Sequence, residues 1–372
     1  MKYIIIAALL MPSTFLFAQD IEFRHSGRLI LGDAKEKTAS IGVGDIDNDG
    51  DIDVVVANGR HWPEQNRIFY NNGLGIFTVS RPLDDVSETS YATELADFDG
   101  DGDLDIAVGN DMAPNAIYIN SGGGIFERGS SFGKEYAPTR NLTTADIDGD
   151  GDIDILITNR GAENEICLND GKGRFDRVLQ FGEKDDSTID VELADIDGDK
   201  DYDLILANRD GQQNYIYLND GKLGFAKKVP FGTGSDETRA VAVADINRDG
   251  IMDIVTANIG EPNRVYFGNP ALTYDTFVVF DESDDESYSV TVDDLDLDGD
   301  IDIIIANSGS PNLVFFNDGG GKVWRRMILR EVNHDTYDII SADLNGDGRP
   351  DIIESNSEEI NAYYLNRAVG KK

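Results

Sequence analysis

Short apolar runs rich in β-branched residues recur along this chain, and each is entered directly from an acidic, glycine-containing stretch. Val54-Val55-Val56, Ile155-Leu156-Ile157 and Ile303-Ile304-Ile305 are three of them. Runs of this length and composition read as β-strands. The segment from Arg140 to Phe175 shows the whole pattern once. Asn141 to Ala145 is a short strand ending in small residues, Ile153 to Thr158 a second, and Ile166 to Leu168 a third. Asn159 to Asn164 is a turn with Asn at both ends, a side chain that hydrogen-bonds nearby backbone. Asn169-Asp170-Gly171-Lys172-Gly173 is a hairpin turn, and Phe175 opens a fourth strand ending near Phe181-Gly182.

The same order recurs seven times. The acidic stretches begin at Asp45, Asp97, Asp146, Asp195, Asp245, Asp294 and Asp343, at steps of 52, 49, 49, 50, 49 and 49 residues. A fixed period of this size marks a repeat architecture. Four antiparallel strands per period make one blade of a β-propeller, so the fold expected is all-β with seven four-stranded blades. Residues 19–372 then form a single domain, because stacked repeats share one continuous structure. The chain ends support this. An aromatic opens the fourth strand of six repeats (Phe77, Phe126, Phe175, Phe225, Phe277, Trp324), but the seventh repeat ends at Lys372 before reaching one. Ile21-Glu22-Phe23 reads like Gly124-Ile125-Phe126, so residues 21–31 are expected to complete the last blade and close the ring.

Each acidic stretch is also candidate chemistry. In Asp45-Ile46-Asp47-Asn48-Asp49-Gly50-Asp51-Ile52-Asp53, short carboxylates fall at positions one, three, five and nine, with glycine at six. Alternate aspartates on a tight loop point inward and build an oxygen cage suited to calcium. An EF-hand loop would end in a bidentate Glu at position twelve. Here that position is Val56, Val108, Ile157, Leu206, Thr256, Ile305 or Glu354, and strands rather than helices flank the loops. The candidate ligand sets count the seventh position, even where only its main chain offers oxygen. They are Asp45, Asp47, Asp49, Asp51 and Asp53 in the first loop, and Asp97, Asp99, Asp101, Asp103 and Asp105 in the second. Asp146, Asp148, Asp150, Asp152 and Asp154 form the third, and Asp195, Asp197, Asp199, Asp201 and Asp203 the fourth. The fifth is Asp245, Asn247, Asp249, Ile251 and Asp253, and the sixth Asp294, Asp296, Asp298, Asp300 and Asp302. Asp343, Asn345, Asp347, Arg349 and Asp351 form the seventh. Up to seven Ca²⁺ are expected. The weakest site is expected at the Asp195 loop, where Lys200 replaces the glycine and brings an ammonium near the cage. Asn247 and Asn345 each remove a charge from their loops.

Acidic residues outnumber basic ones 71 to 32, a formal net charge of −39. Nucleic acid and anionic membrane surfaces are therefore excluded as partners. Residues 1–18 carry Lys2, an apolar run from Tyr3 to Leu10 and a small-residue site at Ala18. That reads as a signal peptide, so a secreted or periplasmic location is expected. No other run is long and apolar enough for a membrane span. Cys167 is the lone cysteine and stands where other repeats have an aromatic, which makes it a packing residue.

The strand Ala145 to Asn159, Ala-Asp-Ile-Asp-Gly-Asp-Gly-Asp-Ile-Asp followed by Ile-Leu-Ile-Thr-Asn, resembles the FG-GAP/VCBS repeat. Phe132-Gly133, Phe181-Gly182 and Phe231-Gly232 echo the Phe-Gly of its name. The resemblance covers residues 21–367 and implies an integrin-α-like calcium-binding propeller. The family includes adhesins, lectins and some carbohydrate-active enzymes.

A ligand is expected on the face away from the metal loops. The turn from Asn58 to Asn66 is the longest of seven, and its extra residues include Arg60, His61 and Trp62. Six residues before each first loop aspartate stand Ala39, Tyr91, Arg140, Ile189, Arg239, Tyr288 and Tyr337. Three Tyr and two Arg suit stacking on sugars or pairing with acidic groups. The function expected is a binding or adhesion module for an extracellular glycan or protein, without chemistry of its own. The alternative is a polysaccharide lyase, with His61, His334 and Tyr337 as candidate acid–base residues.

Overall fold

The computed structural model describes residues 21–369, and the expected signal peptide lies outside them. Among the described residues every element is a β-strand. After β1 (Ile21–Arg24), the first unit is β2 (Ile30–Gly44), β3 (Asp53–Asn58), β4 (Arg67–Tyr70) and β5 (Val79–Pro82). The second is β6 (Ser90–Ala96), β7 (Asp105–Asn110), β8 (Asn115–Asn120) and β9 (Phe126–Phe132). The third is β10 (Thr139–Ala145), β11 (Asp154–Asn159), β12 (Asn164–Leu168) and β13 (Arg177–Phe181). The fourth is β14 (Thr188–Ala194), β15 (Asp203–Asn208), β16 (Gln212–Leu218) and β17 (Lys227–Asp236). The fifth is β18 (Thr238–Ala244), β19 (Asp253–Asn258), β20 (Asn263–Phe267) and β21 (Thr276–Asp281). The sixth is β22 (Glu286–Asp293), β23 (Asp302–Ser308), β24 (Leu313–Asn317) and β25 (Trp324–Ile328). The last holds β26 (Asp335–Ala342) and the long β27 (Asp351–Ala368). Each unit pairs antiparallel in chain order, the arrangement of a β-propeller.

The seventh unit draws on both chain ends. β1 pairs antiparallel with the end of β27, Ile21 opposite Ala368 and Phe23 opposite Asn366. The start of β2 continues along the same edge, with Ile30 opposite Ala362. The Asn-bounded turn expected after Asn356 is absorbed into β27. Its signature bond nevertheless forms, from Asn356 N–H to Asn361 Oδ1 at 2.7 Å. The fourth strands start later than expected in three units: Phe77, Phe175 and Phe225 precede β5, β13 and β17 by two residues.

The apolar triplets are continuous because second strands are covered on both faces. All six residues of β3, β7, β11, β15 and β19 are buried. Alternate side chains of one strand feed two different cores. Val55 packs with Ile106 and Tyr118 of the second unit, whereas Val54 and Val56 pack with Ile353 and Tyr363 of the seventh. Every successive pair of units shares such a core. The first strands lie side by side, β2 against β6, then β10, β14, β18, β22 and β26, with β26 against β2. Cys167 is fully buried in the core between the second and third units.

Polar side chains stitch the units together on the turn face. In every unit the first turn Asn donates its N–H to the Oδ1 of the last, as from Asn159 to Asn164 at 2.8 Å. In six of the seven units the last Asn then reaches a hydroxyl on the next unit's first strand: Asn164 Nδ2 donates to Thr188 Oγ1 and Asn312 Nδ2 to Thr336 Oγ1, each at 3.0 Å. That hydroxyl donates in turn to the first Asn of its own unit, as from Thr188 to Asn208 at 2.9 Å. Asn361 of the seventh unit makes the same bond to Thr38 of the first, at 2.8 Å.

Candidate functional site

Two groups of residues stand out, one at each end of the first strands. At the exit of each first strand lies an aspartate loop whose shape is set by its own carboxylates. The first Asp accepts N–H bonds from positions five and six, as Asp146 does from Asp150 and Gly151 at 3.0 Å. The Asp at position five accepts from position seven, as Asp150 does from Asp152 at 3.0 Å. Position six has a positive φ in all seven loops. It is glycine in six, such as Gly151 at +99°, and Lys200 at +79° in the fourth. The left-handed backbone expected at Lys200 is therefore present, with its strain. Lys200 forms no ion pair with the carboxylates of its loop. Position four is also left-handed, unexpectedly so for Arg248 and Leu297, at +59° and +57°.

The ninth carboxylate has a second task. Asp154 Oδ2 accepts from Ile147 N–H at 3.1 Å and Oδ1 from Asn169 N–H at 2.7 Å, tying the loop to the hairpin outside it. Burial pushes these carboxyls up, to about 6 for Asp53, Asp105, Asp154 and Asp253, about 7 for Asp351 and about 8 for Asp302. Five loops bring three carboxylates close enough to hold one metal ion. They are Asp45, Asp47 and Asp53; Asp97, Asp99 and Asp101; Asp146, Asp148 and Asp154; Asp195, Asp197 and Asp199; and Asp294, Asp296 and Asp302. Two of these carry a buried oxygen that accepts no hydrogen bond, Asp47 Oδ1 and Asp296 Oδ1. A desolvated, unpaired carboxylate oxygen inside an oxygen cage fits a hard cation. The loops at Asp245 and Asp343 lack a triple cluster because Asn stands third. Asn345 Nδ2 donates to Asp351 Oδ2 at 3.2 Å, so its amide uses up an oxygen of the cage.

The other group is made by β-bulges. In all seven first strands the ladder register shifts across one residue, and that residue is Ala39, Tyr91, Arg140, Ile189, Arg239, Tyr288 or Tyr337. A bulge re-aims a side chain. Six of these line one cavity of ≈ 200 Å³ on the axis of the first strands, Ala39 together with the larger Tyr91, Arg140, Arg239, Tyr288 and Tyr337. The larger five stack on one another. The Arg140 guanidinium lies 4.5 Å from the Tyr91 ring centre, and Arg239 lies 5.6 Å from Tyr288. Tyr288 and Tyr337 are 4.7 Å apart edge to face, and Arg60 reaches across from the long turn to sit 3.9 Å over Tyr337. Tyr91 and Tyr337 are thereby buried, at 7 and 8 % exposure.

His61 joins this ring. Its Nδ1 is 2.9 Å from Tyr91 Oη, its Nε2 3.2 Å from Arg60, and its φ is +69°. Burial, then Arg60 and Arg140, lower its pKa, while burial raises that of the Tyr91 phenol. Arg140 is held by Asp111 at 2.8 Å. Two expected members stay apart. No contact joins His334 to His61 or Tyr337; it lies instead within electrostatic range of His25 and Glu359. Trp62 is 68 % exposed and does not line the cavity. Deeper in the cavity stand four carboxylates missed in the sequence, Glu94, Asp190, Glu192 and Asp338. Asp190 accepts from Val241 N–H and Asp338 from Ile41 N–H, each at 3.0 Å, which satisfies the open edges of neighbouring first strands. A parity count down each first strand would have placed them on the axis.

Among the described residues no helix is long and apolar enough to cross a membrane. No curated protein matches the sequence. Solved structures share the fold at low identity. BBS1N, crystallised in complex with ARL6DN, has a TM-score of 0.61 at 12 % identity, covering 94 % of this chain and 97 % of that one. YCF48 from Cyanidioschyzon merolae has a TM-score of 0.60 at 12 % identity, covering 92 % and 98 %. An Agrocybe aegerita lectin that recognises non-reducing terminal N-acetylglucosamine has a TM-score of 0.53 at 19 % identity, covering 90 % and 88 %. The FG-GAP-like repeat model matches residues 45–108, 97–157, 146–206, 195–256 and 294–354, so the chain belongs to the FG-GAP repeat family.

Proposed function

We propose that this protein is a secreted or periplasmic, calcium-stabilised β-propeller that binds a glycan or protein ligand. Its ring is closed by the N-terminal strand, and it is released after cleavage near Ala18. The aspartate loops take up Ca²⁺ and hold the far end of each blade. The ligand meets the face where the bulged side chains converge. The observation that carries this reading is the ring of stacked Tyr and Arg around the axial cavity, with Arg60 of the long turn laid over Tyr337. Aromatic faces and guanidinium groups are what a sugar ring or a polar protein anchor needs. Neighbours of the same fold give it precedent, one crystallised with a protein partner and one recognising a sugar. The test is a glycan array with calcium present, comparing wild type with an Arg60→Ala, Trp62→Ala double variant. Binding falls at least tenfold while melting shifts little, because the other six blades do without these residues. Unchanged binding, or collapse of melting, places the ligand elsewhere.

One observation favours a second reading. His61 and Tyr91 are hydrogen-bonded between Arg60 and Arg140. A neutral imidazole beside a phenol, flanked by cations that neutralise a uronate carboxylate, is an acid–base set for β-elimination. A polysaccharide lyase would release an unsaturated uronate product from a uronate polymer, followed by its absorbance. Product that disappears in His61→Ala and Tyr91→Phe supports this reading, and absence of product from wild type rejects it.

A further inference from the structure

Lys200 has a strained backbone that the fold does not require. The six other loops place glycine there, and the N–H bond Lys200 makes to Asp195 Oδ2, at 3.2 Å, is one glycine makes equally well. A residue with a Cβ is sterically disfavoured in this conformation. Strain kept at position six in one loop, where the other six have glycine, points to a use for the side chain.

That side chain lines a cleft of ≈ 500 Å³ between the third and fourth units, on the loop face. Arg177, Lys222, Tyr202 and Leu223 line it too. Three cations thus converge on one cleft in a chain of formal net charge −39. Neither lysine has a side-chain hydrogen bond or ion pair among the described residues, and Arg177 comes no nearer than 3.8 Å to Asp148. Three carboxylates share the cleft wall: Asp146 accepts two backbone N–H bonds, Asp148 belongs with it to the third aspartate cluster, and Asp201 Oδ1 is shielded from water. Tyr202 is 42 % exposed and offers a flat apolar face beside the cations.

We infer that this cleft binds an anionic saccharide, a sugar ring carrying a carboxylate or a sulfate. Lys200, Lys222 and Arg177 engage the charge, and Tyr202 stacks on the ring. The site lies at the opposite end of the first strands from the Tyr and Arg ring, and it stands whether or not that ring binds a ligand.

The test measures binding of three labelled hexasaccharides, a chondroitin sulfate, a galacturonate and an uncharged chitin oligomer, in calcium-containing buffer at ~0.15 M ionic strength. Wild type is expected to bind the sulfated or the uronate oligomer and not the uncharged one. Which of the two binds identifies the anion. Lys200→Gly is expected to weaken that binding at least tenfold while melting stays level or rises, because strain is relieved. Lys222→Ala and Tyr202→Ala weaken it as well, and the Arg60→Ala, Trp62→Ala variant leaves it unchanged. The inference is overturned by no binding of either anionic oligomer, by full affinity in Lys200→Gly, or by inorganic sulfate competing at the same concentration as the oligosaccharide.

Discussion

Glu94 shows what one buried group does to the energetics of the axis. Burial, then Asp338 and Asp190, push its carboxyl up to about 8, and Asp190, Glu192, Asp338 and Arg239 line the same cavity. The folded chain keeps a proton that the unfolded chain, at 4.5, gives up. Stability therefore falls as pH rises from 4.5 through about 8. Water in the cavity screens part of this, leaving about 1–2 kcal/mol. Glu94→Gln should match wild type in urea unfolding near pH 5 and exceed it by that amount near pH 9. Equal stabilities at the higher pH would show that Glu94 ionises freely. Residues of this kind were hard to read in the sequence, because their partners lie one blade away. The loop aspartates were legible since their spacing is local. The Thr and Ser hydroxyls that bridge units were not, although one recurs seven residues before every first loop aspartate, from Thr38 to Thr336.

The inner strands were legible to within a residue or two because both of their faces are covered, so apolar runs mark them, whereas the exposed fourth strands were marked by the aromatic at or near their start. The bulges were not, since a one-residue slip in a ladder leaves no pattern in hydrophobicity. Their positions were found for another reason, the unusual chemistry of Tyr and Arg beside apolar neighbours. β1 is the element whose role depends most on distant sequence. It contributes Ile21 and Phe23 to the core between the sixth and seventh units, while Leu29 and Leu31 enter that between the seventh and first. Full burial of such a side chain contributes about 1.5–3 kcal/mol, and of these only Leu31 is fully buried, so removing residues 21–31 should cost roughly 3–6 kcal/mol. It would also bare the edge of β27 from Asn361 to Ala368. The deletion variant should aggregate or fail to accumulate as soluble protein. Wild-type melting in a soluble deletion variant would show that β1 is dispensable.

For the molecule as a whole, stability should follow the metal. Extracellular calcium modules bind at ~10⁻⁴–10⁻³ M, and at tenfold excess each site adds roughly 1.4 kcal/mol. The five acidic clusters then total about 7 kcal/mol, comparable to the entire stability of many domains. For a chain of this length, excess chelator should lower the melting midpoint by about 10 °C in calorimetry. An unchanged curve would mean that the loops hold themselves together through their own N–H bonds. Fold and aspartate loops were legible at this scale because a period near fifty residues repeats both. The axial cavity was not, because seven separate strands build it. The bond from Asn361 to Thr38 gains a different meaning at the same scale. Its sisters join residues 24 apart, whereas this one joins residues 323 apart. Bringing its ends together costs ~2 kcal/mol more in chain entropy. The seam where the end of β27 meets β2 is thus the join that costs this chain most to make.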